Sequence, residues 1–448
     1  MSRKNLTQGD VLTRLTQLTI PMIWGVFMVL SFFLADTIFI GLLGTKELAA
    51  ISFTFPVVTG TASIAMGLGV GALSVISRTI GRGDMDDVRH YATHSLILAL
   101  VIVIIFVVIG FATIDPLFLA LGAAPTLLPM IHQYMEIWYG GMIFLVVPMV
   151  GNSIIRATGD SRIPSLIMTV AALSNVILDP LLIFGLGGFP RLELEGAAWA
   201  SLISRAITFL ASGYVLHYRL KLIDLSQTKP SQLLHSWKKI LYIGLPTAGT
   251  NIIMPIAAGF ITMIIAKYGS SAVAAFGVAS RIEMFFLIPF VALSAGLGPF
   301  MGQNFGAKKY ERLKEAIKLT TIFALGWGGL STLILWFGGE IITQQINSAP
   351  EVVAYATLYM AIVPISYGAA GIIYSASAAF NALGNPLHAT TLALGRTFFL
   401  SLPLAWFANK VWGVQGVFTA ISLANLTIGV LAYLWITNKI KKQESIAS

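Results

Sequence analysis

Two aspartates stand inside otherwise apolar runs, Asp36 in SFFLADTIFIG and Asp179 in NVILDPLLI. An ionisable side chain at membrane depth costs about 2.5–3.5 kcal/mol on insertion scales, so each is a functional candidate by default. Asn175 precedes Asp179 by four residues and shares its helix face. Ser201, near the start of a further apolar run, supplies a hydroxyl. Two carboxyls, an amide and a hydroxyl support two kinds of ion chemistry. Neighbouring buried carboxyls titrate jointly and can hold a proton. The same four groups form an oxygen-ligand set for Na⁺, and the residues alone leave both ions open. A purely structural reading makes each aspartate a neutral acid bonded to a hydroxyl or carbonyl of an adjacent helix.

The elements that must position these groups follow from composition. The chain has 448 residues, 56% hydrophobic and only 10% charged, with a mean hydropathy of +0.84. A soluble domain carries roughly a quarter charged residues, so this chain cannot cover a water-facing surface. Apolar runs of about 20 residues alternate with short polar stretches, the pattern of an all-α integral membrane protein. Twelve spans are expected, near residues 15–40, 50–76, 93–114, 128–151, 163–186, 196–217, 240–266, 277–300, 318–339, 354–379, 388–409 and 414–437. The first is too long for the apolar core of a signal peptide and is read as helix one. With no cysteine, disulfide, thiol and thiolate-metal chemistry are excluded.

The net charge of +9 resides in alternate loops. Arg3, Lys4 and Arg14 begin the series, Arg78, Arg82 and Arg89 continue it, and Arg156, Arg162, Arg219, Lys229, Lys308, Lys309 and Lys439 follow. That distribution is a topology signal, not a nucleic-acid footprint, and it puts both termini in the cytoplasm. Asp36 then lies about 22 residues beyond Arg14, and Asp179 about 17 beyond Arg162, placing both roughly 25–33 Å from the cytoplasmic surface. Ser201 comes to the same level from the outer start of its helix.

Adding 225 to a residue number maps the first half of the chain onto the second. Pro21 meets Pro246, Gly44 meets Gly269, Gly81 would meet Gly306, and Arg156 in RATGD meets Asn381 in NALGN. Two six-helix bundles in the same orientation are therefore expected: a first lobe over 1–217, a cytoplasmic linker over 218–239 and a second lobe over 240–448. The mate of Asp36 is Ile261, and the proline alignment sets Leu402 opposite Asp179. The second lobe does without both acids, so they read as additions for a task.

Other features have plainer readings. GLGVG at 67–71 suits close helix packing, not a nucleotide loop, and no Walker A sequence occurs. Arg281 and Glu283 read as a structural pair at a helix end. Arg205 and Arg396 lie within spans; a functional role is open to them, with a salt bridge or snorkelling the readier explanation. The basic stretch from Lys308 to Lys318 reads as a solvated cytoplasmic helix. No nucleophile–base set or metal motif appears, so an enzyme is not expected. A passive channel calls for like residues on repeated elements, which the unmatched acids oppose.

The twelve spans in two repeats, with RATGD, SNVILDP, GAAWAS and ASRIE, resemble the multidrug and toxic compound extrusion (MATE) family over essentially the whole chain. Asp36, Asn175, Asp179 and Ser201 match the pattern of its DinF branch, although the family position of Ser201 is commonly threonine. The NorM branch carries acids in its second lobe, where this chain has Met254 and an acid-free tenth span. The resemblance implies a multi-pass protein of the bacterial inner membrane, acting as a monomer in contact with lipid and without nucleic acid. It implies antiport of an inward proton, or alternatively Na⁺, against an outward amphipathic and often cationic drug, with no cofactor. It also implies that Tyr134, Asn152 and Met168 line a first-lobe cavity. Pro21 leaves a carbonyl of helix one without its donor, which allows the helix to bend when Asp36 takes up a proton. A flippase for lipid-linked sugars is the alternative that a related architecture could support; basic residues in the cavity would favour it. For Pro21, a cap at the helix start remains as good a reading, because Pro246 repeats it.

Overall fold

Asp10 sets the start of the first helix, its Oδ2 accepting the N–H of Thr13 at 2.7 Å. That bond holds the Asp10 carboxyl below the usual carboxylate range. The cap is therefore in place at neutral pH and fades as pH falls through the lowered value. The computed structural model describes residues 5–224 and 230–447; Arg3, Lys4 and Lys229 of the topology argument lie outside the described residues.

The helices are α1 (Val11–Gly41), α2 (Thr45–Arg82), α3 (Met85–Ala120), α4 (Leu128–Gly140), α5 (Ile143–Ala157), α6 (Arg162–Phe184) and α7 (Glu193–Tyr214). The second half holds α8 (Pro230–Ile265), α9 (Ser270–Gly306), α10 (Tyr310–Ile346), α11 (Pro350–Ile362), α12 (Tyr367–Ala382), α13 (Pro386–Leu394) and α14 (Leu402–Ala447). Among the described residues ten helical stretches are long and apolar enough to cross a membrane, and the pair Pro125–Gly140 and Ile143–Ala157, bent by 44°, supplies an eleventh. One stretch, Pro386–Ala447, runs 62 residues, more than twice the roughly 20 that a bilayer requires. It breaks at Gly413, whose φ of 60° and ψ of −143° suit only glycine. Counted as two spans, it completes the expected twelve. Large side chains such as Phe337, Phe399 and Val411 are among the most exposed, as helices facing lipid require.

The described chain divides into two compact units. Trp24–Ala248 form the first; Asn5–Ile23 join the second, which continues from Gly249. A cut at the linker alone does not give this division, and packing explains the difference. Leu6, Val11, Leu15 and Leu18 share a buried cluster with Leu297, Phe300 and Met301 of α9. Ile240 and Ile243 of α8 share one with Leu68 and Ala72 of α2. Each unit thus takes the first half of the other repeat's leading helix. The crossing points follow Pro21 and Pro246 by the same few residues and keep the 225 offset.

The basic stretch is not simply solvated. Arg312 donates to Gly9 O at 2.6 Å and Leu6 O at 3.1 Å, and Lys309 to Thr7 O at 2.8 Å, fastening the segment before α1 to the second unit. Pro21 lies well inside α1, which starts at Val11, so it does not cap the helix start. Lacking an N–H, it leaves the Gln17 carbonyl without its helical donor. GLGVG lies in the interior of α2, where no phosphate-binding loop forms.

Candidate functional site

The first unit gathers an acidic group from four helices. Asp36 comes from α1, Asn175 and Asp179 from α6, Ser201 from α7 and Tyr134 from α4. Asp179 and Asn175 are 0% and 1% exposed. With its amide turned to satisfy both ends, Asn175 donates to Asp179 Oδ2 at 2.8 Å and accepts from the Ser201 N–H at 3.2 Å. Asp36 lies within electrostatic reach of Asp179, and Tyr134 within reach of both. One oxygen of each acid, Asp36 Oδ1 and Asp179 Oδ1, is sealed and has no hydrogen-bond partner among the described residues. A buried polar atom left so costs roughly 1–3 kcal/mol, more if charged. Two such atoms from different helices mark a place built to receive something. Pro180 adds looseness there, because it deprives the Val176 carbonyl of its donor.

The other two expected cavity residues lie deeper. Met168 precedes Asp179 by about three turns, or roughly 16 Å along α6. Asn152 sits near the end of α5, buried, with Oδ1 unpartnered. The structure brings Tyr134 to the acids, whereas Asn152 and Met168 belong to a lower level of the same unit. At that level α1 approaches α6 through Gly25. A Cβ there would sit 3.1 Å from Ser165 Cα and Oγ and 3.4 Å from Met168 Sδ. Gly25→Val should therefore slow transport and cost about 1–3 kcal/mol by overpacking, with Gly25→Ala milder. Melting temperature and efflux rate check this, and wild-type values for the valine variant would remove any need for the close approach.

Sequence reasoning did not find the neighbours of two groups. Arg205, four residues after Ser201 on α7, lies beside Asp36 and Tyr134. It makes neither a salt bridge nor a hydrogen bond among the described residues, so of the readings open to it the salt bridge is set aside and a place beside the acids favours the functional one. Glu283 is not at a helix end. It lies inside α9 and accepts a short hydrogen bond from Tyr359 Oη on α11, with Arg396 rather than Arg281 as its cationic neighbour. Residues two apart on a helix face different ways, which the sequence spacing already implied.

The MatE family model matches residues 21–181 and again 246–407, the two matches starting 225 apart at the two prolines. The chain is 39% identical, over 96% of its length and 95% of the relative's, to a protein of Shewanella oneidensis named FAD transporter. It is 26% identical to the multidrug export protein MepA of Staphylococcus haemolyticus, covering 95% of this chain and 93% of that one. Among solved structures it resembles the Vibrio cholerae MATE transporter VcmN in the bent form, with 29% identity, coverage of 97% and 98%, and a TM-score of 0.91. At that identity the chain is a distinct relative of VcmN. An outward-facing multidrug resistance MATE family transporter gives 27% identity, coverage of 99% of each chain and a TM-score of 0.93. The double match to one family model and these full-length likenesses agree with the twelve spans and the two repeats: the chain is a multi-pass membrane transporter of the MATE family, not an enzyme.

Proposed function

We propose that this transporter is an inner-membrane antiporter that takes protons inward through the Asp36–Asp179 group and exports amphipathic, often cationic, small molecules. The observation that carries the proposal is the pair of sealed, unpartnered oxygens on Asp36 and Asp179. An ionised carboxylate there attracts a cationic drug, and protonation removes the attraction, which gives exchange its sign. Alternating access then needs only that the proton favour one conformation over the other. The Asn175 amide supports a proton over Na⁺. Turned to satisfy both ends, it gives its N–H to Asp179 and its oxygen to the Ser201 N–H, whereas a sodium site calls for the opposite orientation. The relatives named for multidrug export support the drug class.

A second cargo, flavin adenine dinucleotide, is favoured by the relative named FAD transporter, which covers nearly the whole chain. The test is efflux from proteoliposomes with pH and Na⁺ gradients imposed separately. Ethidium movement driven by a pH gradient in Na⁺-free buffer is expected. Movement under a Na⁺ gradient alone would replace the proton, and movement under neither would sink the antiport reading.

A further inference from the structure

The second unit holds a polar cluster that the acids of the first unit do not explain. Glu283 on α9 accepts from Tyr359 Oη. Tyr367 at the start of α12 lies beside Glu283, and Tyr374 beside both Glu283 and Arg396. Arg396 sits in a π-helical turn, Gly395–Ser401, a distortion frequent at functional sites. A guanidinium offers five N–H donors, and the hydrogen bond Arg396 makes here goes to the thioether Sδ of Met254 at 2.6 Å, a weak acceptor. Tyr367 Oη and Ser375 Oγ are sealed and unpartnered among the described residues, with Tyr367 0% exposed. Glu283, Tyr374 and Arg396 are half-buried. A half-buried arginine inside a span belongs at an accessible cavity, because lipid would not tolerate it.

We propose that Arg396, with Tyr367, Tyr374 and Glu283, forms a cargo subsite in the second unit that takes aromatic molecules bearing an anionic group, a phosphate or a carboxylate. Arg396 grips the anion through its free N–H donors, since a planar guanidinium matches phosphate and carboxylate oxygens. The half-buried Tyr374 offers a ring face to the aromatic body, and Tyr367 brings its unpartnered hydroxyl. Glu283, held by Tyr359, accepts from a cargo N–H. This subsite goes beyond the antiport proposal, which places ion and cation in the first unit. It lets one transporter accept cargo of either charge, because the anion need not approach Asp36 and Asp179.

The experiment measures equilibrium binding to the full chain in lipid nanodiscs, without any gradient, so its outcome is independent of the antiport test. Two probe pairs differ only in the anionic group: flavin mononucleotide against riboflavin for phosphate, and norfloxacin against its methyl ester for carboxylate. Wild-type protein should prefer the anionic member of at least one pair by tenfold or more. Arg396→Gln should bring that ratio to within about twofold, and Arg396→Lys should keep part of it. No preference in either pair for wild-type protein overturns the subsite. So does a preference that survives Arg396→Gln. Equal weakening of both members of a pair by Arg396→Gln and Arg396→Lys alike would assign Arg396 to structure, and the subsite would fall.

Discussion

Asp36→Asn should abolish proton-driven export, lowering ethidium efflux by at least tenfold while the protein reaches the membrane at near-normal levels. The substitution keeps the shape and removes the titration. It also replaces a sealed, unpartnered acidic oxygen with an uncharged one, a gain offset by the loss of an anion beside Arg205, so the variant should melt close to the unmodified protein. A loss of efflux with retained stability is the signature of a coupling residue; loss of both would mark a structural one. Asp179→Asn should also damage export, but Asp179 keeps the Asn175 bond that Asp36 lacks, so a smaller loss is expected. A carboxylate placed at Ile261, the repeat mate of Asp36, should not rescue Asp36→Asn. Ile261 is packed in an apolar cluster with Val278, Ile282 and Val417, and the proline alignment sets Phe398, not an amide, opposite Asn175. Efflux by Asp36→Asn equal to the unmodified protein would falsify the coupling role.

The architecture was legible because its causes are local and repeated. Apolar runs of bilayer length declare spans, and a proline at the same offset in each half declares the repeat. The exchange of helix halves between units was not legible. It depends on Leu15 and Leu18 meeting Phe300, partners nearly three hundred positions away that no periodicity announces. The acidic group was readable because depth can be counted from a charged loop along a helix. Tyr134 entered only through the family resemblance. The place of Arg205 was not legible for a physical reason: an arginine in a span shows no partner at helical spacing, and its neighbour Asp36 lies on another helix. Glu283 was paired with the nearest arginine in the chain, whereas helix geometry turns it toward Tyr359.

Protonation of Asp36 should bend α1 and ionisation should leave it straight, a change of several ångströms at its outer end. Pro21 supplies the weak point, since the carbonyl one turn before it lacks its helical donor. The place is also where the chain changes allegiance: residues through Ile23 group with the second unit, and those from Trp24 with the first. A force arising at Asp36 therefore acts on one side of the proline while the other side is held by Leu6, Leu15 and Leu18. A protonated Asp36 can donate to an acceptor on α6, and the unpartnered Asp179 Oδ1 is the natural one. That bond would draw the outer half of α1 toward α6 and reduce the space left for cargo. The chain contains no cysteine, so spin labels at Leu42→Cys and Leu186→Cys go in without removing native thiols; both positions are well exposed. In Na⁺-free buffer the label distance should change on acidification. Asp36→Asn, a permanent mimic of the neutral acid, should show little pH response. Pro21→Ala should shrink the change by restoring the missing N–H. A distance that ignores pH but shifts when Na⁺ is added at high pH would assign the coupling to sodium, with the Asn175 amide turned to offer its oxygen.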